Sequence, residues 1–344
     1  MDEAHGIGSG RFKQLHGEES RFSIINRHLA KVIEICEKYG FKPMIWSDMY
    51  FRIGSKTNNY YDKETVIPED VIKQIPQGVE LVYWDYYHEE KDFYTDWITR
   101  HRALGSEPLM GSGVWTWSKF WYDHYYTETT VTPCLEACRE QKVKDVFFTM
   151  WGDDGGYCDY DSAFAGLAFS SELAFTGAAD SAVINQKFDC LFDGASYDNV
   201  LILANLCYTE IHRLIWDDPL MLLYSGYLKE HKHYAYFCEW NFDGMRADFA
   251  AAAEKIAKVP MKGNAGDLYL AKTLIDTVLA KMNYAEAMFK AYQSANRRDA
   301  VAGLLPLAVA YKNNLKAFTE AHLAMWKRHN KPFGMESVQI RFAG

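Results

Sequence analysis

Two adjacent carboxylates, Asp2 and Glu3, stand at the start of the chain, followed by Ala4-His5 and a glycine-spaced run, Gly6-Ile7-Gly8-Ser9-Gly10. A neighbouring carboxylate and apolar walls raise a carboxyl pKa, so a pair of this kind can supply a proton donor near neutral pH. Placed before a glycine-rich turn and an amphipathic helix, it reads as a catalytic turn at the end of a buried strand. The bland alternative is an exposed acidic terminus. Further along, tryptophan and aspartate recur together in Trp46-Ser47-Asp48, Trp84-Asp85 and Trp151-Gly152-Asp153, with Trp115-Thr116-Trp117 between them. These clusters set flat apolar rings beside charged hydrogen-bond acceptors.

Other candidate chemistry is weaker. Gly6-x-Gly-x-Gly lacks the third spacing of a dinucleotide fingerprint, and the acidic pair would repel phosphate. Cys134 and Cys138 lie four apart on one helix face, but no second ligand pair follows to complete a zinc site. His231 and His233, with Glu239 nearby, invite a metal reading, yet they fall far from the tryptophan clusters, where helix-surface positions are the simpler account.

The elements that must position these residues follow from patterning. In 344 residues, 49% are hydrophobic and 24% charged, enough for one large domain or two ordinary ones with a sizeable core. A net charge of −9 argues against a nucleic-acid surface. No run reaches the roughly 18 apolar residues of a membrane helix. Seven cysteines without short-range pairing suit free thiols in a reducing compartment, hence a cytoplasmic location, with a leader upstream of Met1 left open. Residues 22–39 carry apolar groups at helical spacing, with Gly40 as the stop. Strand-like runs follow at 42–48, 79–85, 108–117 and 145–153, separated by helices near 68–75, 90–104 and 131–142 and closed by one near 161–174. Strands alternating with helices every 30 to 40 residues predict parallel βα units. In a (β/α)8 barrel the C-terminal strand ends surround the active site, which is where the tryptophan clusters fall. From about residue 179 only helical patterns remain, the longest over 268–292 and 299–328, with Pro306 as a kink or start.

Asp-Glu-Ala-His-Gly-x-Gly-x-Gly-Arg-Phe, Lys-Pro-Met-Ile-Trp-Ser-Asp-Met-Tyr-Phe, Tyr-Trp-Asp-Tyr-Tyr and Met-Trp-Gly-Asp-Asp occur in that order, and with the tail Lys331-Pro-Phe-Gly-Met-Glu-Ser-Val-Gln-Ile-Arg341 the chain resembles glycoside hydrolase family 20, the β-N-acetylhexosaminidases. The nearest likeness is to bacterial exo-β-N-acetylglucosaminidases with a C-terminal helical domain. The resemblance implies an α/β fold, the C-terminal half of a (β/α)8 barrel over 1–178, followed by an all-helical domain over 179–344; the family's first four strands precede its Asp-Glu pair and are expected to be missing here.

Neighbouring carboxylates cannot straddle a glycosidic bond, but substrate-assisted catalysis needs only one acid, because the sugar's own acetamido oxygen attacks C1. The resemblance makes Glu3 the general acid/base and Asp2 the group orienting the acetamido N–H. Tyr86, or else Tyr83 or Tyr87, would hold the acetamido oxygen. Trp46, Trp84 and Trp151 would line the sugar pocket, and Asp153, rather than its solvated neighbour Asp154, would bind the outer hydroxyls. His5 could support the pair, although a histidine in such a turn is more often simply exposed. No cofactor or metal is implied. The expected partner is a carbohydrate ending in a β-linked N-acetylhexosamine, with homo-oligomers formed through exposed barrel edges. The rival readings are a non-catalytic half-barrel that binds sugar or self-associates, and a metal-dependent barrel enzyme using the strand-end aspartates.

Overall fold

The structure, a computed structural model, describes residues 3–152, 154–216, 241–261 and 263–343. They pack as two units, one of Met1–Gly113 with Thr129–Thr149 and one of Val114–Glu128 with Met150–Gly344.

The first unit is built on four parallel strands, β1 (Met44–Trp46), β2 (Glu80–Trp84), β3 (Leu109–Gly113) and β4 (Val146–Thr149), side by side in chain order. Register fixes which residues share a face. Ile45 is level with Leu81, Tyr83 with Met110 and Met110 with Val146, while Trp46 is level with Val82, Trp84 with Gly111 and Gly111 with Phe147. The first set packs under helices: Ile25 from Arg21–Lys38, Trp97 and Ile98 from Lys91–Ala103, and Cys134, Ala137 and Cys138 from His124–Glu140 join its core. The second set carries the large aromatic rings and faces away from those helices. A parallel sheet with helices on one face and packed side chains on the other is the arrangement of a barrel wall, not of an open doubly wound sheet. The unit is thus a partial (β/α)8 barrel, as expected.

Gly111 shows how the inner face is fitted. A Cβ there would stand 3.2 Å from both the Phe147 and Trp46 rings and 3.3 Å from Val82. Without it, Trp46 and Phe147 close to a centroid separation of 5.9 Å.

The strands are shorter than the sequence suggested. β3 stops at Gly113 and β4 at Thr149, so Trp115, Trp117 and Trp151 lie beyond the ladder, in loops. The helix expected near 131–142 begins at His124 instead. Asp123 caps it, accepting the Tyr126 N–H at 3.1 Å, while its carbonyl takes the Thr127 hydroxyl at 2.6 Å. Aromatic and β-branched residues over 125–131 disguise that first half, and Pro133 looks like a start although it lies inside.

Among the described residues, the second unit contains helices and connecting turns, apart from one isolated bridge between Trp115 and Asp123. Leu268–Gln293 packs lengthwise on Leu305–His329, whose first turn holds Pro306, so that proline starts a helix and does not kink one. No described helix is long and apolar enough to cross a membrane.

Candidate active site

The end of β1 is held by a buried network. Ser47 Oγ lies 2.6 Å from His101 Nε2 and 2.8 Å from the Val82 carbonyl, which already takes the Ser47 N–H at 3.0 Å. His101 Nδ1 lies 2.6 Å from the Trp97 carbonyl and must donate to it, so Nε2 is the acceptor of the neutral ring and the Ser47 hydroxyl proton goes there. Burial lowers the His101 pKa to about 4, against a smaller opposing effect of the Trp97 carbonyl. The ring therefore stays neutral at physiological pH.

Asp48 follows, fully buried at the first residue of helix Asp48–Gly54, where the helix N-terminus favours a carboxylate. Its Oδ1 accepts the Trp84 indole N–H at 2.8 Å, joining the ends of two adjacent strands. The Trp84 ring then stacks on Tyr86, with centroids 5.1 Å apart and planes at 25°. Such a pair contributes roughly 0.5–1.5 kcal/mol beyond its buried area. Tyr60 and Tyr61 each meet Trp84 edge-on at 5.7 Å, and the Tyr61 hydroxyl donates to the Trp84 carbonyl. Burial pushes the Tyr61 phenol well above its ordinary range, with Asp85 and Asp48 adding to the effect.

Asp85 is turned to a structural task. Oδ1 accepts the N–H groups of Tyr87 at 3.0 Å and His88 at 3.3 Å, and Oδ2 lies 3.2 Å from the Tyr83 hydroxyl and 2.7 Å from His88 Nδ1. This folds the chain into a tight turn just past β2 and sets the three tyrosines apart. Tyr83 is sealed in the core with its hydroxyl committed to Asp85, Tyr87 is 56% exposed, and Tyr86 is 4% exposed under Trp84.

Glu3 is exposed and occupies the left-handed region at φ 51°, where its carbonyl accepts the His5 N–H at 2.6 Å. The turn is anchored. His5 is exposed, as its glycine-rich setting suggested, yet both of its ring nitrogens meet Arg52 Nη1, which also donates to the Tyr60 hydroxyl at 3.0 Å. Arg52 lies one turn after Asp48 on the same short helix, so the Glu3 turn and the β1 end share a support. Asp2 lies outside the described residues, as do Asp153 and the residues His231, His233 and Glu239.

In the second unit, the half-buried Trp151 offers its carbonyl to the Thr116 hydroxyl at 2.8 Å and to the Tyr160 hydroxyl at 3.3 Å. A Cβ on Gly152 would fall 1.7 Å from the Tyr160 oxygen, so any larger residue there would displace that ring. Asp154 is not the solvated neighbour expected: it is half-buried and takes the N–H of Ser118, itself at φ 57°. Trp115 stacks between Trp117 at 4.2 Å and Tyr126 at 4.9 Å. Lys119, 5% exposed, lies over Tyr126 and pairs with buried Asp123 at 3.0 Å.

The structure thus brings Trp84, Tyr86 and Asp48 together and places Trp46 on the same sheet face. Sequence reading missed Arg52, Tyr60, Tyr61 and His101. Only the first carried a signal, a cation one helical turn after a strand-end aspartate. Cys134 and Cys138 are buried free thiols, and among the described residues no third metal-ligating side chain joins them. Compared with known families, residues 204–344 match the Glycoside Hydrolase 20C C-terminal domain. The comparison with curated proteins finds no match.

Proposed function

We propose that the chain, whose residues 204–344 match the Glycoside Hydrolase 20C C-terminal domain, is a portion of a family 20 exo-β-N-acetylhexosaminidase, removing terminal β-linked GlcNAc or GalNAc with retention of configuration. In this reading residues 1–178 form the barrel half and 179–344 the helical domain. Glu3 gives its proton to the glycosidic oxygen as the substrate's acetamido oxygen attacks C1 and the C1–O bond breaks. Asp2 orients the acetamido N–H and offsets the charge of the oxazolinium that forms. Glu3, now ionised, takes a proton from the water that opens this ring. Tyr86 holds the acetamido oxygen, and Trp46 and Trp84 supply apolar faces for the sugar.

The observation that carries this reading is the Trp84–Asp48 bond with Tyr86 stacked beneath the indole, because it fixes an aromatic face and a phenol together at adjoining parallel strand ends. One observation favours a second reading, a sugar-binding or self-associating half-barrel without turnover: β1 and β4 are the outer strands of the described sheet. Tested on a chain that completes the barrel, a thiazoline analogue of GlcNAc and a chromogenic β-N-acetylglucosaminide separate the two. Thiazoline binding with hydrolysis of N-acetylglucosaminides, and none of plain β-glucosides, is expected of the enzyme. Binding without turnover selects the second reading, and equal turnover of glucosides would sink the substrate-assisted mechanism.

A further inference from the structure

The second unit holds a cavity of about 370 Å3 lined in part by Asp161, Asp267, Arg328 and His329. Its charges do not balance. Arg328 is engaged by Asp267 at 2.6 Å. Asp159 and Asp161 are left with one imidazole, His329, whose Nε2 lies 3.2 Å from Asp161 Oδ2. Asp159 is 1% exposed, and its two oxygens take the backbone N–H groups of Asp161 at 3.3 Å and Asp267 at 2.7 Å. A carboxylate has about four acceptor sites, so each oxygen keeps one for a further partner.

Ligand atoms of Asp159, Asp161 and His329 all lie within 4.8 Å of one another. An ion held tetrahedrally at roughly 2.0–2.2 Å spaces its ligands about 3.3–3.6 Å apart. The His329–Asp161 pair, at the 3.2 Å of an ordinary ion pair, needs to open only slightly to reach that spacing. Both side chains are partly exposed, 29% and 34%, so they can close on Asp159, which is fixed. An acidic surface patch lacks these features: here one oxygen ligand is buried and oriented, a nitrogen ligand stands beside it, and the cavity leaves room for water to complete the shell.

We propose that Asp159, Asp161 and His329 form a divalent-cation site facing this cavity. One nitrogen and two oxygens suit Zn2+ far better than Ca2+, which takes six to eight oxygens. The ion clamps the turn at Tyr160–Ser162, which precedes the family-matched segment, to the end of helix Leu305–His329 inside it.

The test uses the full chain stripped with chelator and titrated with ZnCl2 by calorimetry, alongside thermal unfolding. One Zn2+ per chain is expected, bound at least tenfold more tightly than Ca2+ and raising Tm. His329→Gln alters a partly exposed position at a helix end and should retain the fold by far-UV circular dichroism. It should weaken Zn2+ at least tenfold and abolish the Tm shift, and Asp161→Asn should do the same. Absence of saturable binding, or binding undiminished in both variants, overturns the site. So does a thiolate charge-transfer band on substitution with CoCl2, which would assign the ion to cysteine.

Discussion

Asp48 and Trp84 show how one hydrogen bond can join two strand ends. The indole N–H of half-buried Trp84 has its acceptor in a fully buried carboxylate, so Asp48→Ala removes that hydrogen bond. That should cost about 1–3 kcal/mol, read as a lower urea midpoint with an unchanged slope. Trp84→Phe keeps a ring for Tyr86 to stack on but loses the hydrogen bond to Asp48, and should fall in the same range. Glu3 is tested by chemistry. If it is the acid, then in a chain that completes the barrel Glu3→Gln should slow hydrolysis of unactivated N-acetylglucosaminides by roughly 10²–10⁴ and aryl glycosides with good leaving groups by less. Equal losses for both substrates would remove Glu3 from that role. These residues were legible because tryptophan and aspartate at strand ends are conspicuous. Tyr61 and His101 were not, because a tyrosine in a polar loop and a histidine in a helix carry no local sign that both will pack beside β2.

At the scale of elements, the brace between β1 and helix Lys91–Ala103 makes stability depend on pH. His101 has its folded pKa lowered to about 4 from 6.5. Above pH 6.5 both folded and unfolded forms are neutral and the contribution is fully present. Below it, only the unfolded chain takes up the proton, so stability is lost as pH falls towards 4, by about 1.4 kcal/mol per pH unit and roughly 3 kcal/mol in all. Burial lowers His212 to about 3 and His322 to about 4, with the same sign in the second unit. Urea unfolding at pH 7 and pH 5 checks this: His101→Gln, which cannot titrate, should lose less stability between the two than the parent chain. The inner face offers a steric counterpart. Gly111→Ala forces a methyl against Trp46, Phe147 and Val82 and should cost about 1–3 kcal/mol through overpacking. Period and spacing revealed all four strands and their order. They could not reveal where each ladder stops, because that depends on the neighbouring strand, nor the first half of helix His124–Glu140, whose cap at Asp123 is set in a non-helical pattern.

For the whole molecule, the change from alternating strands and helices to helices alone was visible in the sequence, because a parallel βα repeat and a helical array differ in period over long stretches. The division into units was not, since the segment 114–128 leaves the first unit after β3 and the chain returns to it at Thr129. The last prediction rests on the sheet. Closing a barrel removes both sheet edges, whereas β1 and β4 each have a strand neighbour on one side only among the described residues. Met44 on β1 is 55% exposed and Phe41 just before it 69%, so the β1 edge combines backbone hydrogen-bonding groups with apolar side chains. Long or apolar edges of this kind pair between molecules unless charge opposes it. Residues 1–344 alone should therefore elute from size-exclusion chromatography as self-associated species and show negligible hydrolysis of a chromogenic β-N-acetylglucosaminide. Met44→Lys, which sets a charge on that edge, should shift the population towards monomer without restoring activity. A monomeric parent chain with high activity would mean that the pocket is completed by these 344 residues themselves and that the edges are already protected.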